Sequence, residues 1–279
     1  MSKNNIIVNG FKNLPSLPEV VSDIIESLNN DDTNIESLTS KIMVDPALST
    51  RILRMANSPF YGLSGKISSL KEACMILGTY SIKNMAIAVG IVSDNLQKGN
   101  AINTRKLWEH AVGTGVAAKI LAEHIGIDHE IAFTAGLLHD IGKIILDTEY
   151  PEEYKKVIEY RVQNDCFISE AEIEVLGITH AEIGAIIAKY WSLPEAIIDA
   201  IQHHHLLQEK EHQSLVSIIH IADIICRALE IGDPGDYLIP CIHPSLFQNR
   251  IIIFEEIYQM LPTIESLTYT SIKLIVNKH

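Results

Sequence analysis

Cysteine is scarce in this chain, and what there is does not pair. Cys74, Cys166, Cys226 and Cys241 are far apart and form no CxxC motif. That argues against a thiolate zinc site or a disulfide framework and reads as buried structural thiols. Long apolar runs are also missing. The longest lies around Met85–Val92, far short of the ~20 residues that span a bilayer. The N-terminus MSKNNIIVNG lacks the plan of a signal peptide, so the expectation is a cytoplasmic protein with no membrane association. Positive charge is in deficit: 22 Lys and Arg face 35 Asp and Glu, a net charge of −13. That sign repels a phosphate backbone and speaks against nucleic acid as a partner. Strand-like alternation is absent before residue 237.

What is present is helix. The chain has 279 residues, 47% of them apolar and 20% charged, enough for one large or two modest folded domains. LPSLPEVVSDIIESL enters a helix at Pro18, with Val20, Val21, Ile24, Ile25 and Leu28 on one stripe. DPALSTRILRMANSP begins with Asp45 as N-cap and Pro46 at the first helical position. Gly78 punctuates two further helices, and another stops at Gly126. Capping boxes are read at Ser169 with Glu172 and at Thr179 with Glu182. EIAFTAGLLHDIGKIIL reads as one apolar helix. In the tail, YLIP and RIIIFEEIYQML fit short strands or a helix, the second favouring a helix. The expected fold is all-α, with a boundary near LQKGNAINT.

Histidine is concentrated: eight of twelve lie between Glu109 and Leu206. Five helices carry polar residues on otherwise apolar sequence: His110; His139 with Asp140; His180; the run His203, His204, His205; and His220 with Asp223. One such histidine is ordinarily a hydrogen-bonded core residue. Five in order call for a common cause, and a metal supplies one. Imidazole and carboxylate suit divalent first-row ions, and a helical bundle core is where facing helices place such ligands. His139 and Asp140, His110 and Asp223 form one four-ligand set; the middle histidines can hold a second ion bridged by Asp140. Two ions can activate water and clamp phosphate oxygens. Gly142 allows close approach of another chain segment or a phosphate, and Lys143 is placed to donate to an anionic oxygen or to reach solvent. Trp108 and Trp191 read as core, NSPFYG as a structural turn, and His124, His129, His212, His243 and His279 as surface residues.

The series with HDIGK resembles the HD-domain metal-dependent phosphohydrolases. THAEIG, LPEAIIDAIQHHH and SIIHIADIIC resemble the HD-GYP branch and its relative, the HDOD (HD-related output domain) family. LPSLPEVVSDII, MVDPALSTRILRMANSPFYG and KISSLKEACMILGTYSIKNMAIA match the HDOD pattern, and the likeness covers about residues 10 to 230. The resemblance implies an HD-like helical core, residues 101–232, with an N-terminal helical lobe, 1–100, and a tail, 233–279, packing on the core. It implies His110, His139, Asp140, His180, His204, His205 and Asp223 as metal ligands, with His203–His204 as the other option for the double histidine. Asp140 and Lys143 are the residues a catalytic reading would use. The cofactor is one or two divalent ions: Fe, Mn, Zn, Ni or Mg.

Three departures qualify the likeness. Many HDOD proteins have lost their ligands and act as non-catalytic signalling modules; this chain keeps a full-looking set. The stretch E-x-x-D-G-x-G-Y-P that HD-GYP proteins associate with cyclic di-GMP hydrolysis is replaced by LLQEK, which argues against that substrate. Lys106 stands where some HD-GYP proteins place a further acid, which argues against a third ion. The expected function is bacterial signal transduction by a protein that keeps an HD metal site, with a signalling partner engaged through the N-terminal lobe. The alternative is a metal-dependent phosphohydrolase acting on a nucleotide or other phosphoester.

Overall fold

The computed structural model describes residues 16–27, 34–61, 67–95, 101–205, 215–242 and 254–275. Among them the regular structure is helical throughout. The N-terminal part comprises α1 (Glu19–Glu26), α2 (Ile35–Met43), α3 (Pro46–Ala56), a 3-10 turn (Pro59–Tyr61), α4 (Leu70–Leu77) and α5 (Thr79–Asn95). Then follow α6 (Thr104–Ile125), α7 (His129–Leu138), α8 (Ile141–Glu149), α9 (Pro151–Asn164) and α10 (Ile168–Leu176). The series closes with α11 (His180–Tyr190), α12 (Glu195–His203), α13 (Leu215–Ala228) and α14 (Phe254–Ile275). No helix among the described residues is long and apolar enough to cross a membrane.

Local sequence explains most boundaries. The Asp45 carboxylate accepts from the backbone N–H groups of Ala47 and Leu48, capping α3. Asn57 accepts from the Ile67 N–H and donates to the Leu53 and Ile67 carbonyls, closing the turn after α3. The Phe60 side chain and Gly62 lie outside the described residues, as do His212, His243 and His279. Thr179 and Glu182 form the expected capping box on α11. Gly126 ends α6 in the left-handed region.

The helices share one apolar core running from Val21 and Ile24 through α5 and α6 to Ile264 and Ile272. The long helix α6 lies at its centre, packed by α7, α13 and α14. A Cβ on Gly136 would collide with Gly115 on α6, so these two glycines let α6 and α7 approach at backbone distance. Helix α14 also packs on α3 and the 3-10 turn. Between the N-terminal helices and α6–α7, the Lys119 ammonium sits 2.6 Å from Glu130 and 4.0 Å from the Tyr61 ring centroid. A smaller apolar cluster, including Tyr154, Ile168 and Leu176, fills the space among α8, α9 and α10.

Several expectations are corrected. EIAFTAGLLHDIGKIIL is two helices, not one: α7 ends at Leu138 and α8 begins at Ile141. The break falls on His139 and Asp140, whose side chains form a corner instead of lying on one helix surface. Ser169 and Glu172 form no capping box, because α10 starts at Ile168 and Glu170 accepts from the Phe167 N–H. Cys74 and Cys226 are buried as expected, but Cys241 is exposed and Cys166 half-buried. Residues 237–240, YLIP, are neither strand nor helix. Lys143 does not reach solvent; it is fully buried.

Candidate metal centre

The corner between α7 and α8 puts His139 and Asp140 at the meeting point of six helices. Helix α6 brings His110, the start of α11 His180, the end of α12 His204 and His205, and α13 Asp223. Gly142 makes the junction possible: a Cβ there would collide with the His180 carbonyl.

The side chains fall into two groups, His110, His139 and Asp223 on one side and Asp140, His180, His204 and His205 on the other. His110 Nε2 is 2.9 Å from Asp223 Oδ1, and His139 Nε2 is 3.9 Å from the same oxygen. Asp140 joins the groups. Its Oδ2 is 3.3 Å from His139 Nε2, and its Oδ1 is 3.3 Å from His180 Nε2 and 3.7 Å from His204 Nε2. His205 Nε2 is 3.0 Å from His180 Nε2. All seven are buried except His205, which is half-buried. His203 points elsewhere, its Nδ1 on the Asp199 carbonyl.

The imidazole tautomers follow from what lies behind each ring. His110 Nδ1 faces the Ile231 carbonyl at 3.3 Å, His139 the Gly136 carbonyl at 2.7 Å, and His204 the Ile201 carbonyl at 2.8 Å. His180 Nδ1 faces the Glu172 carboxylate at 2.7 Å. Each partner only accepts, so a proton on Nδ1 satisfies it and frees Nε2 to turn its lone pair inward toward an ion.

Such an arrangement is costly unless something neutralises it. His139 Nε2, Asp140 Oδ1 and His204 Nε2 are buried without a hydrogen-bond partner. A ligand 2.0–2.2 Å from an ion lies about 3.0–3.6 Å from its neighbours in octahedral or tetrahedral geometry. Most of the separations above fall close to that range. The donor set therefore fits a divalent metal.

The surrounding charges are consistent with this. Burial alone would raise the Asp140 and Asp223 carboxyls, but their hydrogen-bonding and cationic neighbours hold both well below the usual carboxylate range. These are His139 and Lys143 for Asp140, and Arg227 and His110 for Asp223. Burial pushes His110 down, and His204 and His205 well down. For His180 burial pulls the same way, but the Glu172 charge together with the hydrogen bonds to Asp140 and Glu172 outweighs it, and the pKa is raised.

Sequence alone flags Lys143 and His220 but not their partners, and it misses Arg227 and Asp236. Lys143 donates to Asp140 Oδ2 at 2.7 Å and to the Pro234 carbonyl at 2.8 Å. The Arg227 Nε–H points between both Asp223 oxygens at 3.0 Å, and Nη1 reaches Asp236 at 2.6 Å. Arg227 stands four residues after Asp223, a helical pairing that spacing could have flagged. Asp236 sits in the segment GDPGD, read only as tail. The His220 Nδ1 pairs with the His204 carbonyl at 2.7 Å, fixing the end of α12.

A buried cluster of histidines and aspartates in a helical core is thus the class of site this fold builds. The HDOD domain family matches residues 14–207, and the chain belongs to that family. It superposes on an HDOD domain protein from Geobacter sulfurreducens with a TM-score of 0.83 and 26% identity, covering 98% of this chain and 97% of that one. A candidate phosphohydrolase from Shewanella amazonensis shares the fold at a TM-score of 0.78 and 23% identity, covering 97% of this chain and 98% of that one. An uncharacterised Treponema pallidum protein is 28% identical over 83% of this chain and 46% of its own length. Ribonuclease Y of Deinococcus radiodurans is 30% identical over 47% of this chain and 18% of its own. The chain thus spans about half the length of the first relative and under a fifth of the second.

Proposed function

We propose that this HDOD protein is a signalling module whose core holds one or two divalent metal ions. His110, His139 and Asp223 form one ligand set, and His180, His204 and His205 the other, with Asp140 shared. One observation carries the reading: four imidazoles with Nδ1 committed to acceptors aim Nε2 lone pairs at one buried space flanked by two carboxylates. Five imidazoles against two carboxylates favour a first-row transition ion or zinc over Mg.

When bound, such an ion supplies positive charge to the buried carboxylates and a centre that can polarise an oxygen. The protein's own groups hold the geometry. Asp140 spans the two sets, and Lys143 fixes Asp140 Oδ2 against the Pro234 carbonyl. Arg227 holds Asp223 in place. Elemental analysis of purified, folded protein tests the reading: one to two ions per chain are expected, falling in His139→Ala. A ratio near zero overturns it.

The signalling role rests on membership of the HDOD family and on the surface of the N-terminal lobe. Met43 and Val44 at the end of α2 and Met75 and Ile76 on α4 are exposed, and α2 and α4 pack together. We assign this apolar patch to a protein partner. In a pull-down, Ile76→Asp is expected to lose the partner while Asp140→Ala retains it; the reverse pattern refutes the assignment.

Phosphoester hydrolysis is the second reading, favoured by the partial likeness to ribonuclease Y. One feature weighs against it. His205, the half-buried ligand, borders a cavity of about 690 Å³ whose charged lining is Glu170, Glu174 and Glu182. That sign repels a phosphoester approaching from this side. Metal-loaded protein tested on a broad phosphoester panel decides: release of phosphate lost in His139→Ala restores the hydrolytic reading.

A further inference from the structure

We propose that Glu172 is the positioning residue for the second metal position, and that its charge, beyond its shape, sets how tightly that position binds. The inference rests on the metal reading above. Glu172 is fully buried on α10, outside both ligand groups. Its Oε2 accepts from the His180 backbone N–H at 2.7 Å and from the His180 Nδ1–H at 2.7 Å. Its Oε1 accepts from the Tyr154 hydroxyl at 3.0 Å. One carboxylate therefore fixes the first residue of α11, its ring tautomer and its ring orientation together.

The two ligand groups are unequal in this respect. The rings of His110, His139 and His204 are backed by neutral backbone carbonyls. His180 alone among these four is backed by an anion. A carboxylate behind an imidazole makes its far nitrogen a stronger donor, and such partners are worth about 10–100-fold in metal affinity. The nearest donors to His180 Nε2 are Asp140 Oδ1 and His205 Nε2 at 3.3 and 3.0 Å, so the effect falls on the group containing Asp140, His180, His204 and His205. The group of His110, His139 and Asp223 does not touch Glu172.

The test uses the full chain stripped of metal and titrated with Co²⁺, read by calorimetry and by the visible ligand-field spectrum. Wild type is expected to bind in two phases. Glu172→Gln keeps hydrogen-bonding groups toward His180 and Tyr154 but removes the charge. It is expected to leave the first phase in place and weaken the second by about 10–100-fold, and Glu172→Ala by more. Tyr154→Phe, which leaves the His180 contacts intact, is expected to weaken the second phase less than Glu172→Gln does. Circular dichroism establishes that each variant is folded. Two phases of wild-type affinity in folded Glu172→Gln refute the role of the charge; the same result in Glu172→Ala refutes the positioning role altogether. A wild-type chain that binds no Co²⁺ instead sinks the metal reading itself.

Discussion

Replacing Arg227 by Met should be among the most destabilising single changes in this protein. Arg227 is buried and serves two carboxylates: Nε lies 3.0 Å from both oxygens of Asp223, and Nη1 lies 2.6 Å from Asp236. Nη1 also donates to the Leu238 carbonyl at 3.1 Å. Methionine fills much of the volume but leaves two buried anions without their cation. Breaking a buried pair from one side costs about 3–5 kcal/mol. For a chain of this size each kcal/mol lowers Tm by about 2–3 °C, so the expected fall is roughly 6–15 °C. Thermal unfolding followed by circular dichroism in excess chelator measures it. Arg227→Lys, which keeps charge but not the planar fork, should fall between. The double variant Arg227→Met with Asp236→Asn should recover part of the loss, since one stranded carboxylate is gone. A loss below about 1 kcal/mol, or a double variant as unstable as the sum of the singles, would falsify the buried-pair account.

Further outcomes follow from the same geometry. Gly142→Ala drives a methyl into the His180 carbonyl, so α8 and α11 must part; a loss of about 1–3 kcal/mol is expected with weakened metal binding, and neither effect in urea unfolding or in metal titration would refute the close approach. Tyr154→Phe leaves Glu172 Oε1 without its donor and should cost about 1–3 kcal/mol, measured by urea unfolding. Stability of the metal-free chain should fall on acidification in two stages. His110, His204 and His205 are held below their ordinary value, so the unfolded chain takes up protons first and stability drops as pH falls below about 6.5. Asp140 and Asp223, also held low, contribute fully above their unfolded value near pH 4 and lose it as pH falls toward their folded values. His180, shifted upward, acts oppositely: its contribution is full below about pH 6.5 and fades as pH rises through its folded value. Tm measured from pH 8 to pH 4 should therefore decline; a flat profile would contradict three imidazoles held neutral by the fold. With Zn²⁺ or Mn²⁺ added, Tm at pH 7.5 should rise with metal concentration and fall back on chelation.

The all-α class and many helix ends are local matters, and the sequence was sufficient for them. Asp45 before Pro46, Thr179 with Glu182, and Gly126 each satisfy or release backbone groups within a few residues, so neighbours in the chain carry the whole cause. The clustered residues were legible for a related reason: a histidine or acid on an apolar helix must find a buried partner, and seven recurred in order. Distance in space was not legible. Only packing shows that the chain breaks at His139 and Asp140, because the corner is held by Gly142 lying against α11. Only packing turns Glu172 from an apparent cap into the anion behind His180, and selects His204 and His205 over His203 at the cluster. Only packing brings Asp236, beyond the end of α13, to Arg227. A residue's chemistry is written in the chain, but the partner that tunes it comes from whichever helix tertiary packing sets beside it.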